Sequence, residues 1–130
     1  MSQQEIEVIL ARHLAEYLAL PVFIVDPAGG LLFFNEPAES ILGQRFEETG
    51  PMPASEWSTV FTPLDLDGRP LEPEQLPLMI ALADRRPAYR LFLIRGLDGD
   101  LRKIEVVAFP LIGQADRFLG ALALFRELPG

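Results

Sequence analysis

The sequence predicts an α+β domain in which a five-stranded antiparallel sheet is flanked by helices on one face and preceded by an N-terminal amphipathic helix. Three observations support this prediction. Two short β-prone runs near the amino end are joined by turn residues, three longer β-prone runs close the chain, and apolar residues before and between them recur at three- and four-residue steps. We assign residues 1–20 to the helix and residues 21–127 to the domain.

The first element is an amphipathic helix predicted from about Gln3 to Leu20. Ser2 and Glu5 form a capping-box pattern at its start, and Pro21 ends it because proline cannot continue the helical hydrogen bonds. Its apolar stripe contains Ile6, Ile9, Leu10, Leu14, Tyr17 and Leu18, and His13 lies on the same stripe. Such a stripe needs a surface to cover.

A hairpin and a short helix follow. The runs VFIVD (22–26) and LLFF (31–34) are β-prone, and PAGG between them supplies turn conformations. Asn35 is a suitable N-cap for a helix through about Gly43, with Pro37 tolerated in the first turn. Residues 44–63 are rich in proline and contain Trp57, and we expect short turns of helix there.

One more helix and three strands complete the predicted domain. LPLMIALADRR (76–86) predicts a helix with Leu76, Met79, Ile80 and Ala83 on one side. AYRLFLIRG, LRKIEVVAFPLI and RFLGALALF predict three strands, which turn at LDGD and GQAD. Alternation along the first two of these strands gives one apolar face, which carries Phe92, Ile94, Ile104, Val106 and Ala108.

Composition narrows the function classes. A chain of 130 residues with 49% hydrophobic residues suits one domain with a real core. The formal net charge of −8 argues against nucleic-acid and anionic-membrane partners, which need positive surface. The absence of cysteine excludes disulfides, thiolate metal sites and cysteine nucleophiles. The amino end has no signal-peptide pattern and no apolar run reaches the ~20 residues that span a bilayer, so we expect a cytoplasmic protein.

The order of elements, together with VDPAGGLLFFNEPAESILG, DGRPLEPEQLPL, LDGDLRKIEVVAFPL and LGALALF, resembles the PAS domain family over about Leu20 to Glu127. The resemblance implies helices that cup the sheet around a cavity, and a role in sensing or in protein association. It also implies that the N-terminal helix is the flanking helix through which such domains often dimerise. The expected dimer interface is Ile6, Ile9, Leu10, His13, Leu14 and Tyr17.

Strand alternation and the resemblance together predict an apolar cavity, with Trp57 either at its rim or as a packing residue. The expected lining is Phe23, Val25, Ile41, Trp57, Leu76, Ile80, Phe92, Ile94, Ile104, Val106 and Leu122. Two interpretations stay open: the lining binds a small hydrophobic molecule, or these side chains fill the space themselves.

No cofactor or metal is expected. The flavin photosensor subtype needs a cysteine and polar amides, whereas the matching positions hold Ile94, Ile104 and Leu122. Haem-binding members usually ligate iron from the long helix, which has no histidine, and Met79 fits a core role better than an axial ligand. The acidic cluster Asp65, Asp67, Glu72 and Glu74 lacks the spacing of a calcium loop.

We therefore expect a signalling or sensory PAS module, of the kind used in bacterial signalling, that homodimerises or binds a signalling protein. The alternative is a protein-interaction adaptor with a filled core and no ligand, acting on a histidine kinase or a transcription factor. An enzyme is not expected, because the predicted lining is aliphatic and offers no acid–base pair.

Overall fold

The computed structural model describes residues 6–17, 19–96 and 99–129. Its helices and strands, in chain order, are α1 (Ile6–Tyr17), β1 (Val22–Val25), β2 (Leu31–Phe34), α2 (Glu36–Leu42), α3 (Phe46–Thr49), α4 (Ala54–Val60), β3 (Pro63–Leu64), α5 (Pro77–Asp84), β4 (Ala88–Arg95), β5 (Leu101–Ile112) and β6 (Phe118–Glu127). Single 3₁₀ turns lie at Pro73–Gln75 and Gln114–Asp116. One antiparallel sheet has the order β2-β1-β6-β5-β4-β3.

The predicted α+β class with an antiparallel sheet is confirmed, but the sheet has six strands rather than five. The additional strand is β3, whose two residues pair with Leu93 and Ile94 at the edge of the sheet. Two residues are too short for an alternation pattern, and a strand that begins with proline is tolerated only at an edge. The sequence signal for β3 was therefore absent.

Asn35 organises the junction between the N-terminal hairpin and α2. Its carboxamide oxygen accepts hydrogen bonds from the amides of Ala38 (3.2 Å) and Val22 (2.9 Å), and its Nδ2 donates to the carbonyl of Leu20 (2.9 Å). The helix ends at Gly43, which has a left-handed conformation with φ 78°. The predicted N-cap and the predicted end of this helix are both confirmed.

The sheet separates two apolar clusters. On its concave face, Phe23, Phe34 and Val106 belong to the main core, which α2, α4 and α5 cover. On its convex face, Val22, Ile24 and Phe33 form a smaller cluster against which Ala11 of α1 packs. The predicted alternation of β5 is confirmed, because Ile104, Val106 and Ala108 are all buried.

Helix α1 is shorter at its carboxyl end than predicted. It ends at Tyr17, and Ala19 and Leu20 form a bend. The residue before a proline avoids the helical region, and the hydrogen bond from Asn35 holds the Leu20 carbonyl toward β1. The predicted capping residues Ser2 and Glu5, and the stripe member Leu18, lie outside the described residues. Among the described residues, no helix has both the length and the hydropathy to cross a membrane.

Two predicted faces are wrong. Leu122 lies on the convex face, opposite Ile24 of the paired strand β1. The alternate residues of β6, Ala121 and Ala123, face the concave core. Both faces of β6 are apolar, so alternation could not distinguish them. Helix α5 has the same ambiguity.

In α5 the buried residues are Pro77, Leu78 and Ala81, whereas Ala83 is exposed and Ile80 is partly exposed. The helix begins at Pro77, so Leu76 is an extended N-cap residue and does not share the helical phase. When a helix is apolar on every side, its sequence does not indicate which side is buried.

Candidate functional site

The concave face holds an apolar cavity of about 70 Å³ that is partly open to solvent, called here the cup cavity. Its walls come from strands β1, β4, β5 and β6, from helices α2, α4 and α5, and from the segment around β3. The lining residues are Phe23, Leu42, Trp57, Phe61, Pro63, Leu76, Pro77, Leu78, Phe92, Ile94, Ile104, Val106, Ala123 and Phe125. Every one of these side chains is apolar except for the indole N–H of Trp57.

Seven of the predicted lining residues line the cup cavity. They are Phe23, Trp57, Leu76, Phe92, Ile94, Ile104 and Val106. Val25 and Ile41 are buried in the same core but do not line the cavity. Ile80 lies outside the lining because of the phase of α5, and Leu122 lies on the opposite face of the sheet.

Seven lining residues were not predicted, and one of them, Ala123, explains why there is space for the cavity. Ala123 is the residue of β6 that faces the cavity beside Phe125. A small side chain at this position leaves space that a leucine would have filled. Leu42, Phe61, Pro63, Pro77 and Leu78 come from helix ends and connections, where no alternation pattern indicates which side chains point inward.

An aromatic cluster forms one wall of the cup cavity. The Phe23 ring lies 5.1 Å from Trp57 and 6.2 Å from Phe61, both in edge-to-face geometry. The indole N–H of Trp57 donates to the Gly29 carbonyl at 2.7 Å. Because this polar atom is already paired inside the protein, the cavity wall offers an occupant no free donor from Trp57.

The size and chemistry of the cup cavity restrict what it can hold. At about 70 Å³ it is far below the ~300 Å³ of pockets that bind drug-sized molecules. Apolar cavities of about 150 Å³ accept benzene or xenon and stay free of water. The matching occupant is a compact apolar molecule of a few heavy atoms, and the lining provides no hydrogen bonds for a flavin or ligand atom for a haem iron.

Arg102 lies at one end of the concave face. It is opposite Ile94 in the β4–β5 register and two residues before Ile104. Its guanidinium donates to the Ile41 carbonyl of α2 at 3.0 Å and lies 3.6 Å from carboxylate oxygens of Asp100 and Glu127. These contacts tie the end of α2 to the sheet beside the cavity.

Two aspartates, Asp26 and Asp65, stabilise turns through their side chains. The Asp26 carboxylate accepts from the amides of Ala28 and Gly30, and Asp65 accepts in the same way from Asp67 and Arg69. These hydrogen bonds from the Arg69 and Asp67 amides lower the pKa of Asp65. Within the described residues, no group of three or more His, Asp or Glu side chains could hold a metal ion.

The second candidate surface is the outward face of α1. The predicted interface residues Ile6, Leu10, Leu14 and Tyr17 are 67%, 59%, 61% and 87% exposed, and Ile9 and His13 are exposed as well. These six residues are called the α1 stripe. The opposite side of the helix, with Val8 and Ala11, faces the sheet. The structure thus places the predicted interface residues together on one solvent-facing side.

A shallow groove on the convex face continues from the end of α1. It has a volume of about 140 Å³ and is lined by Leu20, Tyr89, Glu105, Val107, Leu124, Phe125 and Arg126. Glu105 accepts hydrogen bonds from the Tyr89 hydroxyl and from Arg126, each at 2.6 Å. Both bonds lower the pKa of Glu105, and the bond to the carboxylate raises the pKa of Tyr89, whose hydroxyl proton the carboxylate holds.

No protein-family model matches the sequence, and none of the curated proteins matches it. Solved structures do match. The PAS domain of a protein from Colwellia psychrerythraea has a TM-score of 0.66 at 19% identity, over 93% of this chain and 97% of that one. The PAS domain of Bordetella pertussis BvgS has a TM-score of 0.70 at 16% identity, over 97% and 89%.

A LOV protein from Rhodobacter sphaeroides is similar as well, with a TM-score of 0.73 at 16% identity over 96% of this chain and 69% of that one. In all three cases the similarity covers more than nine tenths of this chain. It agrees with the strand order and with the cupped helices described above. The chain therefore has the PAS fold.

Proposed function

We propose that this protein is a sensory signalling module that forms a homodimer through the α1 stripe. The observation that carries the proposal is the exposure of this stripe on an otherwise complete domain. Monomeric proteins seldom leave a contiguous apolar patch of this kind in water, and such patches mark interaction sites. Solved PAS domains with this fold include one from a two-component sensor histidine kinase.

Charge does not prevent a second copy from occupying the α1 stripe. The chain carries a net charge of −8, so two copies repel each other unless they meet through uncharged surface. The α1 stripe contains no Asp, Glu, Lys or Arg. In a two-fold dimer the same patch faces itself, and an apolar stripe is complementary to itself.

The α1 stripe alone is too small to form a stable dimer interface. A 12-residue helix is about 18 Å long, whereas a stable interface buries about 800 Å² on each partner. The groove on the convex face begins at Leu20, next to the end of α1, and adds the exposed apolar side chains of Tyr89 and Val107. We include this groove in the proposed interface, because its two charged residues, Glu105 and Arg126, already pair with each other within one chain.

The dimer is tested by light scattering on the full chain and on a Leu10→Lys variant. We expect a mass near 29 kDa, twice the 14.5 kDa of one chain, and a monomer for the variant, because burying an unpaired ammonium opposes association. Leu66→Lys is the matched control, since Leu66 is 51% exposed and lies in the turn after β3. A monomeric parent protein, or a Leu10→Lys variant that remains a dimer, contradicts the proposal.

We further propose that the cup cavity binds a small apolar molecule as the sensed ligand. The cavity volume and its uniformly apolar lining support this proposal. The ligand class is a compact hydrocarbon-like molecule without hydrogen-bonding groups, because any polar atom would be buried without a partner. The lining supplies no acid–base pair, so we propose binding without catalysis.

Xenon is a suitable probe for this cavity because it is apolar and compact. In a crystal pressurised with xenon, we expect density in the cup cavity between Phe92 and Ala123. Ala123→Val adds two methyl groups to the cavity wall and removes the site, whereas Ala83→Val, on the exposed side of α5, leaves it intact. A cavity that stays empty in the parent protein favours the adaptor with a filled core.

A further inference from the structure

Glu7 connects the N-terminal helix to the turn between β5 and β6. One of its carboxylate oxygens, Oε2, accepts a hydrogen bond from the Gln114 amide at 3.2 Å and one from the Arg117 guanidinium at 2.8 Å. This contact joins residues about 110 positions apart in the chain. Within the described residues, Glu7 and Arg117 form an ion pair that joins α1 to the β5–β6 turn.

The turn holds both donors in place for a carboxylate. Arg117 Nε donates to the Gln114 carbonyl at 3.1 Å, so one edge of its guanidinium is fixed while its NH2 group faces Glu7. Ala115 and Asp116 both have φ of 58°, a left-handed conformation that is costly for residues other than glycine. The turn therefore keeps a strained shape that presents a backbone N–H and a guanidinium to the same oxygen.

Gly113 makes room for this contact. A Cβ atom at this position would lie 2.6 Å from Glu7 Oε2 and 2.9 Å from Cδ1 of Leu119. Gly113 itself has an extended backbone that any residue can adopt, with φ −91° and ψ −164°. A side chain here would displace the carboxylate without straining the backbone at residue 113.

The other contacts of α1 with its own domain are narrow. Val8 and Ala11 face the convex cluster, and the Arg12 guanidinium lies 4.6 Å from the centre of the Phe33 ring. Val8 and Ala11 are smaller than the isoleucine, leucine and tyrosine side chains of the α1 stripe. On hydrophobicity alone, the helix would turn its stripe toward the sheet.

We propose that the β5–β6 turn is a receptor for the Glu7 carboxylate, and that this contact sets the rotation of α1 so that the stripe faces outward. Glu7 is thus a positioning residue for the interaction surface. Only the effect on association rests on the proposed dimer. An α1 helix that is rotated or detached from the sheet cannot present the stripe to a second copy. The docking itself is a property of one chain.

Amide hydrogen exchange over residues 6–17 tests the docking, measured in a Leu14→Lys background so that dimer contacts do not contribute and no new charge lies within four residues of Glu7. We expect Glu7→Gln, Arg117→Gln and Gly113→Ala each to speed exchange in α1 by about tenfold, because each removes the charge-assisted contact. Combining Glu7→Gln with Arg117→Gln adds little to either change, since both remove one interaction.

Glu105→Gln is the matched control. It also removes a carboxylate that accepts from an arginine at 2.6 Å, but it lies on β5, so exchange in α1 stays unchanged. Unchanged exchange in the Glu7 and Gly113 variants, or an additive effect in the double variant, overturns the inference. A parent protein that is monomeric while these variants still loosen α1 refutes the dimer and leaves the receptor for Glu7 standing.

Discussion

Asn35 shows how much structure one side chain can specify. It is 1% exposed, and its carboxamide satisfies groups in the bend after α1, in β1 and in α2. Replacing it by alanine removes the helix cap and leaves the Val22 amide and the Leu20 carbonyl without their partner. We expect Asn35→Ala to lower the free energy of unfolding by about 2–4 kcal/mol.

Urea unfolding followed by the single Trp57 measures this change. Asn35→Asp keeps the oxygen that caps α2 but places a second carboxylate oxygen against the Leu20 carbonyl, so we expect it to destabilise the protein as well. Ser40→Ala, an exposed change on the same helix, is the control. An Asn35→Ala variant as stable as the parent would refute the linking role of this residue.

The contact of Glu7 with the β5–β6 turn depends on pH. Hydrogen bonds from its own amide and from the Gln114 amide, together with Arg117, lower its pKa from the ordinary value of 4.5. The ionised carboxylate therefore favours docking of α1. This contribution is complete above about pH 4.5 and is lost as the pH falls through the lowered pKa.

An NMR titration of the Gln114 amide and of the amides of α1 checks this prediction. We expect them to shift together below pH 4.5 in the parent protein. In Glu7→Gln the step is absent, because the side chain no longer titrates. Arg117 is the charged group that faces Glu7 from the turn, and it stays protonated throughout this range. An identical acid step in both proteins would assign the transition to another group.

At the level of elements, the alternation of β5 determines which side chains meet the core. Ile104 is 4% exposed and lines the cup cavity, whereas its neighbour Glu105 lies on the convex face with Tyr89. We expect Ile104→Glu to destabilise the protein by more than about 4 kcal/mol, because it buries an unpaired charge. Glu105→Lys loses the hydrogen bonds from Tyr89 and Arg126 but buries no charge, so it should lower the melting temperature far less than Ile104→Glu. If Glu105→Lys were the more destabilising change, Glu105 rather than Ile104 would face the core, and the described alternation of β5 would be shifted by one residue.

The pairing of β6 with β1 depends on Gly120. This residue has φ of +129°, and a Cβ atom would lie 2.0 Å from the Val25 carbonyl oxygen, a backbone atom that cannot move aside. We expect Gly120→Ala to cost more than about 4 kcal/mol in the free energy of unfolding. Gly68 also has a positive φ, of +88°, but no atom lies within 4 Å of its added Cβ.

Gly68→Ala is therefore the matched control, and it should cost only about 1 kcal/mol because it adds backbone strain without a clash. Thermal or urea unfolding of both variants separates the two effects. Equal costs for the two substitutions would mean that the close approach of β6 to β1 contributes nothing.

The sequence predicted elements where one face is polar and failed where both are apolar. The alternation of Ile104 with Glu105 placed β5 correctly, and the cap at Asn35 placed α2 correctly. Leu122 was assigned to the wrong face because β6 is apolar on both sides, and on its convex side Leu122 packs against the cluster of Val22, Ile24 and Phe33. Ile80 was misplaced because α5 is apolar all round.

At the scale of the whole molecule, the order of elements sufficed to predict the PAS fold, but contacts between distant segments gave no local signal. The Glu7–Arg117 pair and the hydrogen bond from Arg102 to Ile41 join parts of the chain that no motif connects. The cup cavity also had no local sequence signal. Its volume depends on Ala123 and on residues at helix ends, where strand alternation does not indicate which side chains point inward.

The central claim, that the α1 stripe is where two copies meet, has a direct test because the chain has no cysteine. Single cysteines are placed at Ile6, Leu10, His13 and Tyr17, with Leu66 as the exposed control, and each protein is oxidised mildly at low concentration. The account predicts a disulfide-linked dimer from at least one stripe position and none from Leu66, because a two-fold axis brings equivalent residues together. Linkage at Leu66 alone, or at no position on the stripe, would contradict it.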